Sequence, residues 1–160
     1  MSLGITIKTK PIIKPISISY SKLSYDDIDS IVFIEHQNSQ NPWSKNQLVE
    51  SILNPTNLCY SMSIDNQILG FLMAMPADDS ADILNISISK EYQRKGYGKK
   101  LLSKCLEAAR KMGYKYCYLE TLSQLEKAIS LYKQNGFENL EIPYGNTGHN
   151  SCGVWMLKTL

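Results

Sequence analysis

The fold turns on the stretch Ile86-Ser87-Ile88-Ser89-Lys90-Glu91-Tyr92-Gln93-Arg94-Lys95-Gly96-Tyr97-Gly98. It opens with the apolar and polar alternation of a strand. Gln93 to Gly98 then makes a basic turn, and a 3.6-residue apolar period follows. Glycines, lacking Cβ atoms, let a ligand approach the backbone, and the start of a helix offers N–H groups with no partner inside the helix. Such donors at the positive end of the helix dipole, beside Arg94, Lys95, Lys99 and Lys100, suit a pyrophosphate better than a neutral ligand. Strand-to-helix turns also use glycine for steric reasons alone, so the turn by itself leaves both readings open. Two competing nucleotide fingerprints are excluded by spacing. No Gly-x-x-x-x-Gly-Lys-Ser/Thr occurs, and Leu101 stands where Gly-x-Gly-x-x-Gly needs its third glycine.

Downstream, Leu101, Leu102, Cys105, Leu106, Ala109 and Met112 share one helical face that stops at Gly113, a C-cap. Residues 114–120 alternate as a strand, and a strand-helix unit before them places that strand parallel to residues 83–89. Leu125, Ala128, Ile129 and Tyr132 lie on one face of a further helix, closed by Asn135-Gly136-Phe137. A loop at Pro143-Tyr144-Gly145-Asn146 precedes a last strand over residues 153–157.

Upstream, Ile16, Ile18 and Tyr20 alternate with serines as a half-buried strand does. Ser24 caps a helix carrying Ile28, Ile31 and Val32, and Ser44 with Gln47 makes the capping box of a second helix that ends near Pro55. Residues 58–64 and 68–77 form a hairpin through Asp65-Asn66-Gln67, and Asp78-Asp79-Ser80 turns the chain into residues 81–89. Residues 1–15, with two prolines, read as a leader or an extra edge strand, and residues 16–160 as one domain.

A chain of 160 residues with 43% apolar content can build one core without disulfides or metal. Seventeen Lys and Arg against 15 Asp and Glu leave a net charge of +2, which gives no broad attraction to nucleic acid or to a membrane surface. Cys59, Cys105, Cys117 and Cys152 contain no Cys-x-x-Cys pair, so buried reduced thiols are expected rather than a zinc site or a disulfide framework. With only His36 and His149, no metal site is expected. Lysines at 8, 10 and 14 interrupt the apolar residues of the start, and no run approaches the ~20 apolar residues of a membrane span, so a cytoplasmic location is expected. Nothing in the sequence decides between monomer and dimer.

The order β-α-α-β-β-β-α-β-α-β, together with Gln93-Arg94-Lys95-Gly96-Tyr97-Gly98, resembles the GCN5-related N-acetyltransferase (GNAT) superfamily, from about Ile16 to Leu157. Asn41-Pro42-Trp43-Ser44, Leu84-Asn85-Ile86-Ser87-Ile88, Tyr118-Leu119-Glu120 and residues 131–137 are similar to the bacterial ribosomal-protein-alanine N-acetyltransferases. The resemblance implies an α+β fold, with a mixed, mainly antiparallel sheet of about six to seven strands flanked by about four helices. It also implies acetyl-CoA as co-substrate, without metal. The main chain of Ile86, Ser87 and Ile88 would pair with the pantetheine arm, and Gln93, Arg94, Lys95, Gly96, Tyr97, Gly98 and Lys99 would hold the pyrophosphate. Glu120 would be the proton acceptor and Tyr132 the proton donor. Trp43 and Tyr144 are candidates for the acceptor side. The implied acceptor is a protein N-terminus, the N-terminal alanine of a ribosomal protein. Where that group places an Asn five residues after the Glu, this chain has Leu125, with Gln124 or Ser123 as substitutes.

These residue types fit the reaction on chemical grounds too. An ammonium must lose a proton before it attacks a thioester, and a carboxylate within hydrogen-bond reach, or one water away, can take it. Partial burial at a strand end would suit Glu120 to that task. A phenol can donate to the departing thiolate, and a backbone N–H near Ile88 can hold the oxyanion. Read alone, Tyr132 on an apolar stripe is an ordinary core residue, Glu120 an ordinary solvated or capping one, and Trp43 a staple for the second helix. Two rivals stay open: acetylation of a small amine enclosed by residues 144–149, and a non-catalytic acetyl-CoA sensor that would need neither Glu120 nor Tyr132.

Overall fold

The computed structural model describes residues 17–141 and 153–160. The expected leader at residues 1–15, Tyr144 with its loop, and Cys152 lie outside the described residues. The strands are β1 (Ile18–Lys22), β2 (Leu58–Ile64), β3 (Gln67–Ala77), β4 (Ser80–Ile88), β5 (Tyr116–Leu122), β6 (Glu138–Asn139) and β7 (Gly153–Thr159). The helices are α1 (Ile28–Asn38), α2 (Lys45–Leu53), α3 (Tyr97–Lys111) and α4 (Glu126–Gln134). The sheet runs β1-β2-β3-β4-β5-β7-β6, with every pair antiparallel except β4 and β5. This is the mixed, mainly antiparallel sheet with four helices that the sequence implies.

Local chemistry sets the element ends. Asp65 and Asn66 both take positive φ, the two-residue turn that matches the twist of a hairpin. The Ser44 hydroxyl accepts from the Gln47 N–H at 3.3 Å while Gln47 Oε1 accepts from the Ser44 N–H at 2.9 Å, which closes the capping box of α2. Gly113 and Gly136 sit in the left-handed region behind α3 and α4.

The sheet separates two apolar layers. On one face α1 and α2 lay Ile31, Ile34, Leu48 and Ile52 over Cys59, Phe71 and Met73. On the other, Leu101, Leu102, Cys105 and Leu106 of α3 and Tyr132 of α4 cover Leu72, Ile83, Leu119 and Met156. The first layer contains no residue of β5 or β7. On that side the face of β5 and β7 extends past the helices, and this is where the site opens.

Candidate active site

The parallel pairing of β4 and β5 runs from Ser80↔Tyr116 to Ile83↔Leu119 and then stops, although β4 continues to Ile88 and β5 to Leu122. The cause is a β-bulge. Opposite β3, Met73 pairs with Asn85 and Ala74 with Ile83, leaving Leu84 as an extra residue that bends β4 away from β5. Ser89 N–H donates to Leu69 C=O at 2.8 Å, so by antiparallel alternation residues 87 and 89 bond to β3 while Ile86 and Ile88 turn their main-chain groups toward the opening. That opening is therefore lined by a strand edge on which the Ile86 main-chain groups and the Ile88 N–H are not used by β3, while the Ile88 C=O is taken by Asn38 Nδ2 and Gln93 Nε2, both at 2.9 Å. Such an edge is the backbone expected to pair with an extended ligand.

The basic turn follows directly. Arg94 (φ 64°) and Gly96 (φ 82°) are both left-handed, and the chain enters α3 at Tyr97. Among the described residues the N–H groups of Arg94 to Lys99 find no main-chain acceptor, the first returning bond being Lys100 N–H to Gly96 C=O at 3.2 Å. Alternating backbone conformations that aim successive N–H groups inward form an anion nest, and the helix dipole adds to it. Arg94, Lys95 and Lys99 are exposed beside it, and none is in an ion pair among the described residues. Lys95 and Lys100 lie over the rings of Tyr92 and Tyr97 at 5.4 and 5.6 Å. The Gln93 amide is engaged within the protein, donating to Asn38 Oδ1 at 2.7 Å and Ile88 C=O at 2.9 Å, so it shapes the turn. A Cβ placed on Gly98 would lie 3.5 Å from Leu131 Cδ2 and 3.9 Å from Ile88 Cγ1, which brings the turn, the end of β4 and α4 together.

Below the bulge the opening widens into a groove of about 440 Å³ lined by Met75, Asp82, Leu84, Tyr118, Glu120 and Trp155, among others. Glu120 pairs with Trp155 across β5 and β7, and a Cβ on Gly153 would collide with its carboxylate. Its side chain thus lies along the groove wall and is exposed among the described residues, as the reading of Glu120 as an ordinary solvated residue has it, and without the partial burial that would suit a base. Tyr132 is on the other layer, 7% exposed, with its ring 5.9 Å from Phe137 in a T-shaped contact. Burial pushes its phenol up to about 12. Trp43 is half-buried against the α1/α2 layer and is not part of the groove lining.

Of the groove lining, sequence reading singled out Glu120 and missed the rest, Leu84, Asp82 and Trp155 among them. The signal for Trp155 was its alternation on a strand facing Glu120. Leu84 is revealed only by the bulge. It also missed Glu35, buried at 3% exposed. One carboxylate oxygen of Glu35 accepts from the Trp43 N–H at 3.1 Å, and the other from Asn85 Nδ2 at 3.0 Å and the Ser87 hydroxyl at 3.3 Å.

Four buried protons carry a consequence for stability, among them that of the Cys59 thiol, which burial also pushes up. Burial pushes the Cys105 thiol up to about 12, and burial, with Cys105 close by, raises Cys117 as well. Tyr132 behaves likewise. A group whose proton is held more tightly in the fold than in the unfolded chain stabilises fully below its unfolded pKa and loses that contribution as pH rises toward its folded value. Thermal midpoints should therefore hold steady to about pH 9 and fall from pH 9 to 11. A flat profile over that interval would contradict this burial.

Comparison with known proteins agrees with this fold. The acetyltransferase (GNAT) family model matches residues 25–137. A [Ribosomal protein bS18]-alanine N-acetyltransferase of Haemophilus influenzae is 32% identical over 126 residues, covering 76% of this chain and 82% of that protein. An N-acetyltransferase of Escherichia coli K12 known as YjgM, itself uncharacterised, is 50% identical over 66 residues, which span 41% of this chain and 40% of that relative. The PaiA N-acetyltransferase of Thermoplasma acidophilum, solved in complex with coenzyme A, superimposes with a TM-score of 0.78 at 22% identity, covering 90% of this chain and 99% of that one.

Proposed function

The chain belongs to the acetyltransferase (GNAT) family and uses acetyl-CoA as co-substrate, and from that premise we propose that it acetylates the α-amine of a protein N-terminus by direct attack, with Glu120 as base. The observation that carries this reading is the opening between β4 and β5 among the described residues. One wall is a strand edge that runs into an anion nest, and the other presents Glu120. When bound, acetyl-CoA supplies an activated acyl group on a good leaving group.

The chain's own residues then do the rest. Arg94 to Lys99 hold the pyrophosphate by main-chain N–H groups and local positive charge. Ile86 offers its main-chain N–H and C=O to the pantetheine amides, and the N–H of Ile88, whose own C=O is already held by Asn38 and Gln93, stabilises charge developing on the thioester oxygen. Glu120 takes the proton from an ammonium that enters along Tyr118, Leu84 and Trp155. We assign Tyr132 to the leaving sulfur from the family resemblance, its ring lying in the α3/α4 layer and outside the groove lining. Its phenol, held at about 12, stays protonated at every working pH. Such a phenol does not hand over its proton outright to a thiolate of ordinary basicity (~8.5), so it holds the sulfur by a hydrogen bond as it departs. No loss of rate traceable to this phenol is therefore expected below pH 10, and a falling limb that disappears in Tyr132→Phe would contradict that.

An alanine-initiated acceptor is favoured by the similarity to the Haemophilus influenzae enzyme. Asp82 supports a second reading, because another carboxylate in the same groove suits a small amine with a second positive charge. The test is transfer of labelled acetyl from acetyl-CoA to an alanine-initiated ribosomal peptide, to polyamines and to free amino acids. Preference for the peptide supports the first reading. Preference for a polyamine, weakened by Asp82→Asn, would install the second.

A further inference from the structure

We propose that Glu35 is a positioning residue that ties the α1–α2 connection to the cofactor strand, so that binding along β4 is felt at Trp43. The inference rests on the reading of β4 as the strand that holds acetyl-CoA. The last turn of α1 grips the far end of β4 through several side chains. Gln37 Oε1 accepts from the Ser89 hydroxyl and the Lys90 N–H, both at 3.2 Å, and Asn38 Nδ2 donates to Ile88 C=O at 2.9 Å. Glu35 carries this seam on to α2, since its second oxygen takes the N–H of Trp43, one residue before the N-cap of that helix.

Its chemistry is unlike that of a packing residue. No cation pairs with it among the described residues, and a buried charge of this kind is tolerated only where neutral donors converge on it. They converge from both sides. The Asn85 amide and the Ser87 hydroxyl come from β4, and the Ser87 proton is shared with Asn85 Oδ1 at the same 3.3 Å. Asn85 directly follows the bulged Leu84, and Ser87 lies between Ile86 and Ile88, whose main-chain groups face the opening. Glu35 thus fixes the stretch of β4 whose tilt creates the open edge, and by the same carboxylate fixes the entry to α2. Glutamine in its place would turn one of the two acceptors into a donor facing a donor, and one half of the bridge would part.

The chain has two tryptophans, Trp43 and Trp155, so in a Trp155→Phe background the emission comes from Trp43 alone. Titration with CoA should shift that emission. Adding Glu35→Gln should remove most of the shift and weaken CoA binding by about tenfold in calorimetry. In turnover assays the KM for acetyl-CoA should rise, while kcat at saturation and its pH profile stay within about twofold. If Glu35→Gln does not fold, Ser87→Ala, which removes one donor from the β4 side, should reduce the same shift. A Trp43 response of full size in whichever variant folds, with CoA affinity unchanged, would overturn the proposal. So would a collapse of kcat at unchanged affinity, which would place Glu35 at the reacting atoms. CoA titration needs neither acceptor nor turnover, so a mistaken acceptor or base leaves this test intact, whereas absence of CoA binding by the wild-type protein would sink the functional reading together with this one.

Discussion

Glu120→Gln should lower kcat by about 10²-fold or more while CoA affinity stays within about twofold, because a positioned general base contributes ~10²–10⁴-fold and Glu120 lies on the groove wall away from the anion nest. The exchange keeps shape and removes only the capacity to take a proton. The pH dependence then identifies what the base was replacing. Without it, reaction waits for the amine to deprotonate in solution. An α-amine does so near ~8 and a lysine-like or polyamine amine near ~10.4, so the variant's deficit should shrink above pH 8 for a peptide N-terminus and persist to pH 10 for an aliphatic amine. Rates compared at pH 7, 8.5 and 10 with both acceptors decide the matter. A variant as fast as wild type at pH 7 would remove Glu120 from the chemistry. A variant with weakened CoA binding would show that the two walls of the opening are not separable.

Much of this site was legible in the chain because its parts obey local rules. The left-handed residues around Gly96, the capping box at Ser44 and the hairpin turn at Asp65-Asn66 each follow from a few neighbouring residues. The parallel placement of β5 followed from the helix before it. What escaped depends on contacts between distant segments. Leu84 is an unremarkable leucine until the register of β3 against β4 makes it the extra residue, and the width of the opening comes from that shift. Glu35 on α1 reads as one more polar position of an amphipathic helix, and its donors come 8, 50 and 52 residues later. The exposure of Glu120 depends on what covers the face of β5, which a strand's own alternation does not report. The sequence reading of Trp43 as a staple for α2 agrees with its packing, and its main-chain N–H, which no side-chain pattern signals, is what Glu35 holds.

Gly96→Val is the second large effect, and its interpretation depends on a matched control. Gly96 and Gly113 have nearly the same backbone, φ 82° and φ 87°, and a Cβ on either meets nothing within 4 Å, so neither change is resisted by crowding. Both impose the same conformational cost, about 1–2 kcal/mol for an L side chain in the left-handed region. The two glycines differ in place. Gly96 caps the start of α3 within the anion nest, and Gly113 follows its other end. If the nest holds the pyrophosphate, valine at 96 lets the turn relax out of the left-handed region, so the ligand must restore it and accommodate the new side chain. At ~1.4 kcal/mol per decade, the backbone cost alone raises the Kd for CoA by about 5- to 30-fold, and the side chain adds to it. Gly113→Val should lower the thermal midpoint by a similar amount and leave CoA affinity unchanged. Asn tolerates the left-handed conformation, so Gly96→Asn should fall between wild type and valine and separate backbone strain from side-chain bulk. Equal loss of affinity at both positions would mean that the effect passes through the stability of α3, and no loss at either would place the phosphates somewhere other than this turn.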